Sequence, residues 1–107
     1  PFNGVTTTIE ALWKNVPVLT KTGYNFNSRC GESILKNAKI DNLIARNNED
    51  YINKAVFYAN NIDKLEDVRK KLFKEIDKST LFDTKGFSVD FCKALHDMIL
   101  DINKNYK

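Results

Sequence analysis

Few of the residues that build metal centres, disulfide scaffolds or membrane spans occur in this chain. Its two cysteines, Cys30 and Cys92, lie far apart with no CxxC or CxxH spacing near either, which indicates neither a zinc site nor a disulfide framework. A reduced, cytoplasmic setting is the expectation. No apolar run approaches the ~20 residues of a membrane-spanning helix, and no charged-then-apolar leader opens the chain, so no membrane partner is expected. Charge of one sign is also missing: the formal net charge of +3 arises from Lys and Arg interleaved with Asp and Glu, as in "DKLEDVRKKLFKEIDK". Without an acid-free basic track alternating with aromatics, a nucleic-acid partner is excluded. There is no internal repeat, no low-complexity segment and no initiator Met, the chain starting Pro1-Phe2-Asn3-Gly4. A fragment of a longer protein is expected, its preceding strand lying upstream.

With 42% hydrophobic residues in 107, the chain can bury one small core. Asn3-Gly4 is a turn signal, and the threonines at 6, 7 and 8 can cap a helix carrying Ile9, Leu12 and Trp13 that ends near Asn15. "VPVLT", residues 16–20, reads as a short buried parallel strand, with Pro17 confined to its start or an edge. A polar loop then leads into a helix over about residues 28–38, and a very short strand or turn is expected at 43–45. From Asn48 onward the pattern is helical. Tyr51, Ile52, Ala55, Val56 and Ala59 form one apolar stripe, and Leu65, Val68, Leu72 and Ile76 a second behind an Asp63/Glu66 cap. Phe87, Phe91, Leu95, Met98 and Ile102 form a third, in a last helix where His96 is a packing or surface residue rather than a base. The result is an α/β chain, mostly helical, with one or two short parallel strands and too few strands for a sheet of its own.

The stretch "FNGVTTTIEALW" raises a chemical question. A helix N-terminus offers unpaired backbone N–H groups and about half a positive charge, which together favour an anion such as phosphate. Gly4 lets backbone approach closely, the hydroxyls of Thr6 and Thr7 can donate to phosphate oxygens, and Glu10, one turn on, can accept from sugar hydroxyls. The same letters also spell a capping box, Thr7-x-x-Glu10, in which the two residues satisfy each other's amides. Spacing leaves both roles open. Trp13 is placed in the core, Tyr24 is expected to pack, and Lys21 to be solvated.

Taken in order, "NGVTTTIEALWKNVPVLT", "FNSRCGESIL", "LIARNNEDYINKAV", "LEDVRKKL" and "STLFDTKGFSVDFCKAL" resemble the C-terminal end of O-linked N-acetylglucosamine transferases, over nearly the full chain. The likeness extends to bacterial tetratricopeptide-repeat proteins with the same domain. It implies the C-terminal portion of a Rossmann-like GT-B donor-binding domain, with residues 1–47 as the donor-site α/β part and 48–107 as C-terminal helices. It further implies a UDP-sugar donor, UDP-GlcNAc or another, with Thr6 and Thr7 on its diphosphate, Glu10 on its ribose, and Gly4 and Val5 contributing backbone. A protein Ser/Thr acceptor, the upstream half of the catalytic region as a partner, and no cofactor or metal complete the implied set. No catalytic base lies in this stretch, so the fragment alone is expected to be inactive.

Three positions depart from the family pattern. Val5 replaces the histidine of the animal enzymes, leaving only its N–H; Glu10 replaces aspartate; and Thr8 replaces a glycine. Arg29, in the family's "SR" pair, is expected either to be buried and to anchor the loop through backbone carbonyls or to contact the donor directly. Two other functions compete: a GT-B enzyme acting on a glycan, and a non-catalytic helical interaction module in which the threonines are only a cap.

Overall fold

The computed structural model describes residues 2–105. Helix α1 (Thr6–Trp13) leads to strand β1 (Thr20–Lys21), helix α2 (Phe26–Asn37), a 3-10 turn (Asp41–Leu43) and strand β2 (Ile44–Ala45). Helices α3 (Asn48–Asn60) and α4 (Ile62–Glu75), a second 3-10 turn (Ile76–Lys78) and the long α5 (Thr84–Asn105) follow. β1 and β2 are parallel, Thr20 opposite Ile44 and Lys21 opposite Ala45. With α2 as the connection, this is one β-α-β crossover, as parallel pairing requires.

The apolar run at 16–20 is strand only at its end. Pro17 has no N–H to give a ladder, and β2 offers just two residues to pair with. Val18 and Leu19 nevertheless pack on the core.

α2 starts at Phe26, two residues before the expected Ser28, because Asn25 caps it. Ser28 N–H donates to Asn25 Oδ1 at 3.0 Å, and Asn25 N–H donates to Ser28 Oγ at 3.2 Å, a reciprocal box that buries Ser28. α4 likewise begins one residue ahead of its expected cap. Asn61 occupies the N-cap without capping α4, its side chain donating back to Phe57 C=O at 2.8 Å, and Asp63 stands inside the first turn, where its charge still favours the helix dipole. The expected Asp63/Glu66 box therefore does not form.

The core lies between these elements. Leu12 of α1, Ile34, Leu35 and Ala38 of the α2 region, Ile40 and Leu43 beside β2, and Val68, Leu72 and Ile76 of α4 form one buried cluster. α2 comes close to β1 because Gly31 has no side chain: a Cβ there would stand 2.2 Å from Thr20 Oγ1.

Two of the three expected apolar stripes are not core. α3 buries no residue, with Ile52 at 60% and Val56 at 52% exposure. On α5, Phe87, Phe91, Leu95, Met98 and Ile102 are 46–70% exposed. Helical spacing puts residues on one face but does not supply anything to cover it. Phe87 and Phe91 stack on each other, centroids 5.8 Å apart. At about 1.5 Å per residue, the 22 residues of α5 account for much of a long axis of 64 Å against 30 and 18 Å.

Candidate functional site

The threonine turn sits at the C-terminal end of β1, and Asn3 fastens it there. Asn3 N–H donates to Asn27 C=O at 3.0 Å. Its side chain reaches Lys21 C=O (3.5 Å) and accepts from Gly31 N–H (3.4 Å), two longer contacts that tie the turn to β1 and α2. In the sequence Asn3 is legible only as a turn former; its anchoring role depends on residues 18 to 28 positions away.

α1 starts at Thr6, so Val5 is its N-cap, and no side chain caps it. The first backbone bond of the helix runs from Ile9 N–H to Val5 C=O at 3.0 Å, leaving the amides of Thr6, Thr7 and Thr8 ahead of it without helical partners. The capping box open in the sequence is absent: Thr7 is already inside the helix, where its side chain cannot serve as the cap. Thr6, Thr7 and Glu10 are exposed. Thr8 differs, being buried with its Oγ1 donating to Gly4 C=O at 2.8 Å. Gly4 is required for space rather than for an unusual backbone angle, since a Cβ would meet Thr7 Oγ1 at 2.6 Å and Thr8 Oγ1 at 3.2 Å.

The loop leaving β1 and the turn leaving β2 enclose a polar cleft of about 470 Å³ whose lining includes Lys21, Thr22, Tyr24, Arg46 and Asn47. Thr22 N–H donates to Ala45 C=O at 2.9 Å, continuing the strand contact into the loop. Lys21 is half-buried, its Nζ donating to Asn48 Oδ1 at 2.8 Å, so it is not the solvated lysine expected. Tyr24 is fully exposed instead of packed.

Arg29 is also exposed, and among the described residues it donates to no backbone carbonyl; its Nε donates to Glu32 Oε2 at 3.3 Å. The buried face of α2 is made by Ser28, Gly31, Ile34 and Leu35, and Arg29 lies off it.

Glu32 is the residue that sequence reasoning passes over. It accepts from Thr22 Oγ1, from Lys36 Nζ at 2.7 Å and from Arg29 Nε at 3.3 Å. Lys36 above all, then Thr22, lowers its carboxyl from 4.5 to about 2, against a smaller opposing effect of desolvation. Only the Glu32/Lys36 spacing is readable in the sequence; the bond to Thr22 fixes the loop after β1 to α2. Asp50 plays a similar part after β2, accepting from Lys54 Nζ (2.8 Å) and Arg46 N–H (2.9 Å), which hold its carboxyl below the usual range.

The remaining candidates are peripheral. Trp13 is half-exposed and lies edge-on to Phe82, centroids 4.7 Å apart. His96 and Cys92 are exposed, and Cys30 is half-buried. Among the described residues no three His, Cys, Asp or Glu side chains gather as a metal site, and no helix is long and apolar enough to cross a membrane.

A parallel crossover with an uncapped helix N-terminus at the C-terminal end of its first strand is the arrangement by which α/β proteins hold phosphorylated ligands. Comparison with known proteins makes the class specific. The chain belongs to glycosyl transferase family 41, whose family model matches residues 1–91. It is 35% identical over 88 residues to a tomato (Solanum lycopersicum) protein described as a probable UDP-N-acetylglucosamine–peptide N-acetylglucosaminyltransferase SPINDLY, covering 82% of this chain and 10% of that one. It is 30% identical over 105 residues to the UDP-N-acetylglucosamine–peptide N-acetylglucosaminyltransferase of Caenorhabditis elegans, covering 98% of this chain and 9% of that one. Among solved structures, a mutant of the Thermobaculum terrenum O-GlcNAc transferase superposes with a TM-score of 0.92 at 29% identity, over 100% of this chain and 21% of that one. The chain thus spans about a tenth of the curated relatives it matches, and its fold is that of a fragment of a GT-B domain.

Proposed function

We propose that this chain is the donor-binding part of a glycosyltransferase that moves N-acetylglucosamine from UDP-GlcNAc to serine or threonine of proteins. The observation that carries the reading is the open N-terminus of α1: no side chain caps it, and the hydroxyls of Thr6 and Thr7 face solvent. The names of its relatives, as peptide N-acetylglucosaminyltransferases, agree with it.

In this reading the donor diphosphate rests on the amides at the start of α1, with Gly4 and Val5 bringing backbone close and Thr6 and Thr7 adding hydroxyl donors. As the bond to the sugar breaks, negative charge grows on the departing UDP. Fixed N–H dipoles and the helix field stabilise that charge more in the transition state than in the ground state. Glu10 follows Thr6 by four residues, on the same face of the helix, and receives ribose hydroxyls. The acceptor's base and the rest of the sugar pocket belong to the remainder of the catalytic region, which the exposed apolar faces of α3 and α5 are suited to meet.

Amide-resolved NMR of the chain titrated with UDP tests the placement. Shifts centred on residues 4–10 and the loop at 21–29 are expected. Shifts confined elsewhere would remove the donor from α1.

A further inference from the structure

Helix α4 has two apolar faces, and only one serves the core. Val68 and Leu72 are buried, whereas Ile62 and Phe73 are 63% and 70% exposed. With Val16, from the segment after α1, they line an open groove of about 860 Å³. Its border is basic. Lys14, Arg69 and Lys74 line it without a carboxylate partner among the described residues, while the one acid of the lining, Glu66, is engaged by Lys70 at 3.2 Å.

An apolar floor attracts any apolar surface, so the uncompensated cations decide what fits. We propose that this groove docks an acidic amphipathic helix of a partner protein, its apolar stripe on Ile62, Val16 and Phe73 and its flanking carboxylates against Lys14, Arg69 and Lys74. Ile62 to Phe73 spans about 16 Å along α4, the length of a three-turn helical face. A second copy of this chain is a poorer match: its longest helix, α5, whose apolar face is exposed, carries Asp90, Asp97 and Asp101 against Lys85, Lys93 and Lys104, and offers no net negative charge. Lys14 and Val16 follow the C-terminal end of α1, opposite the threonine turn, so docking leaves the donor end of that helix free.

The test uses the intact protein, a fluorescein-labelled amphipathic peptide of Leu and Glu, and its Leu/Lys counterpart, compared by fluorescence anisotropy. The Leu/Glu peptide is expected to bind, to weaken as salt rises, and to weaken at least about tenfold both in the Arg69→Glu/Lys74→Glu protein and in Phe73→Ser. The Leu/Lys peptide is expected not to bind, and saturating UDP to change nothing. Equal binding of both peptides, or binding of neither, overturns the proposal. So does a dimer in sedimentation that Phe73→Ser abolishes, or binding to phosphatidylserine vesicles through Arg69 and Lys74 with no binding of the acidic peptide.

Discussion

Thr7 and Thr8 are adjacent, alike in chemistry and opposite in burial, and replacing each by alanine tests the proposed division between structure and recognition. Thr8 is buried and donates to Gly4 C=O at 2.8 Å. Its loss removes one internal hydrogen bond, worth about 0.5–1.5 kcal/mol, and a buried methyl group, worth up to about 1 kcal/mol. Thr8→Ala should therefore cost about 1–2 kcal/mol, less the few tenths that alanine returns in helix propensity. Thr7 is exposed and caps nothing, so Thr7→Ala should leave stability within about 0.5 kcal/mol, with alanine's propensity favouring a slight gain. For a donor phosphate the order inverts: a hydrogen bond to a charged group is worth about 1.5–3 kcal/mol, or roughly 10- to 150-fold in UDP affinity for Thr7→Ala. Urea denaturation followed by Trp13 fluorescence, with Trp13 edge-on to Phe82, reads the first quantity, and calorimetric titration of UDP into the intact protein reads the second. If Thr7→Ala lowered stability by more than about 1 kcal/mol and left UDP affinity unchanged, it would be a cap and the donor assignment would fail.

Three further outcomes are expected. Gly31→Ala places a Cβ 2.2 Å from Thr20 Oγ1 and 3.0 Å from Thr20 Cβ; forcing α2 off β1 should cost about 1–3 kcal/mol even after the helix-propensity gain, and a raised melting temperature would refute the close packing. Because the folded state lowers the Glu32 carboxyl from 4.5 to about 2, its contribution is complete above about pH 4.5 and is lost as the pH falls from there toward 2. With Lys36 and Arg29 about 58% and 59% exposed, solvent screening limits it to about 1–2 kcal/mol; Glu32→Gln should flatten the acid limb of stability against pH, and an unchanged limb would count against the Thr22–Glu32–Lys36 cluster. Removing residues 84–105 deletes no member of the buried core, so the urea midpoint of the remaining chain should hardly move and a large drop would show that α5 supports the core.

The crossover fold was legible, and so was the end of it at which the candidate site lies, because local rules agree there. A turn at Asn3-Gly4, a threonine-rich helix start and a β-branched run ending in a glycine-containing loop all point to one end of a strand. What stayed hidden is what distance in sequence conceals. Thr22 meets Glu32 across ten residues and Asn3 meets Gly31 across twenty-eight, and no periodicity encodes either. On α3 and α5 the opposite holds: the periodicity is plain in the sequence, but it marks a common face and says nothing of what covers it. The expected caps failed for a narrower reason: a helix that starts one or two residues early turns a would-be cap into a first-turn residue, as for Thr7 and Asp63.

Hydrogen-bond accounting draws the boundary of the candidate site. Ser28 is spent on the start of α2, Thr8 on the Gly4 turn, Glu32 on Thr22, Lys36 and Arg29, and Asn3 on Asn27 with weaker contacts to Lys21 and Gly31. Each of these groups has its polar capacity used internally, and each holds the threonine turn or the neighbouring loop in place. A site supported in this way is preorganised, since its supporting groups are already hydrogen-bonded to one another. Among the described residues, the amides ahead of the first turn of α1 and the hydroxyls of Thr6 and Thr7 have no partner. Structural support ends, and the surface proposed for the donor begins, between two neighbouring threonines, where the chain turns from solvent into the core.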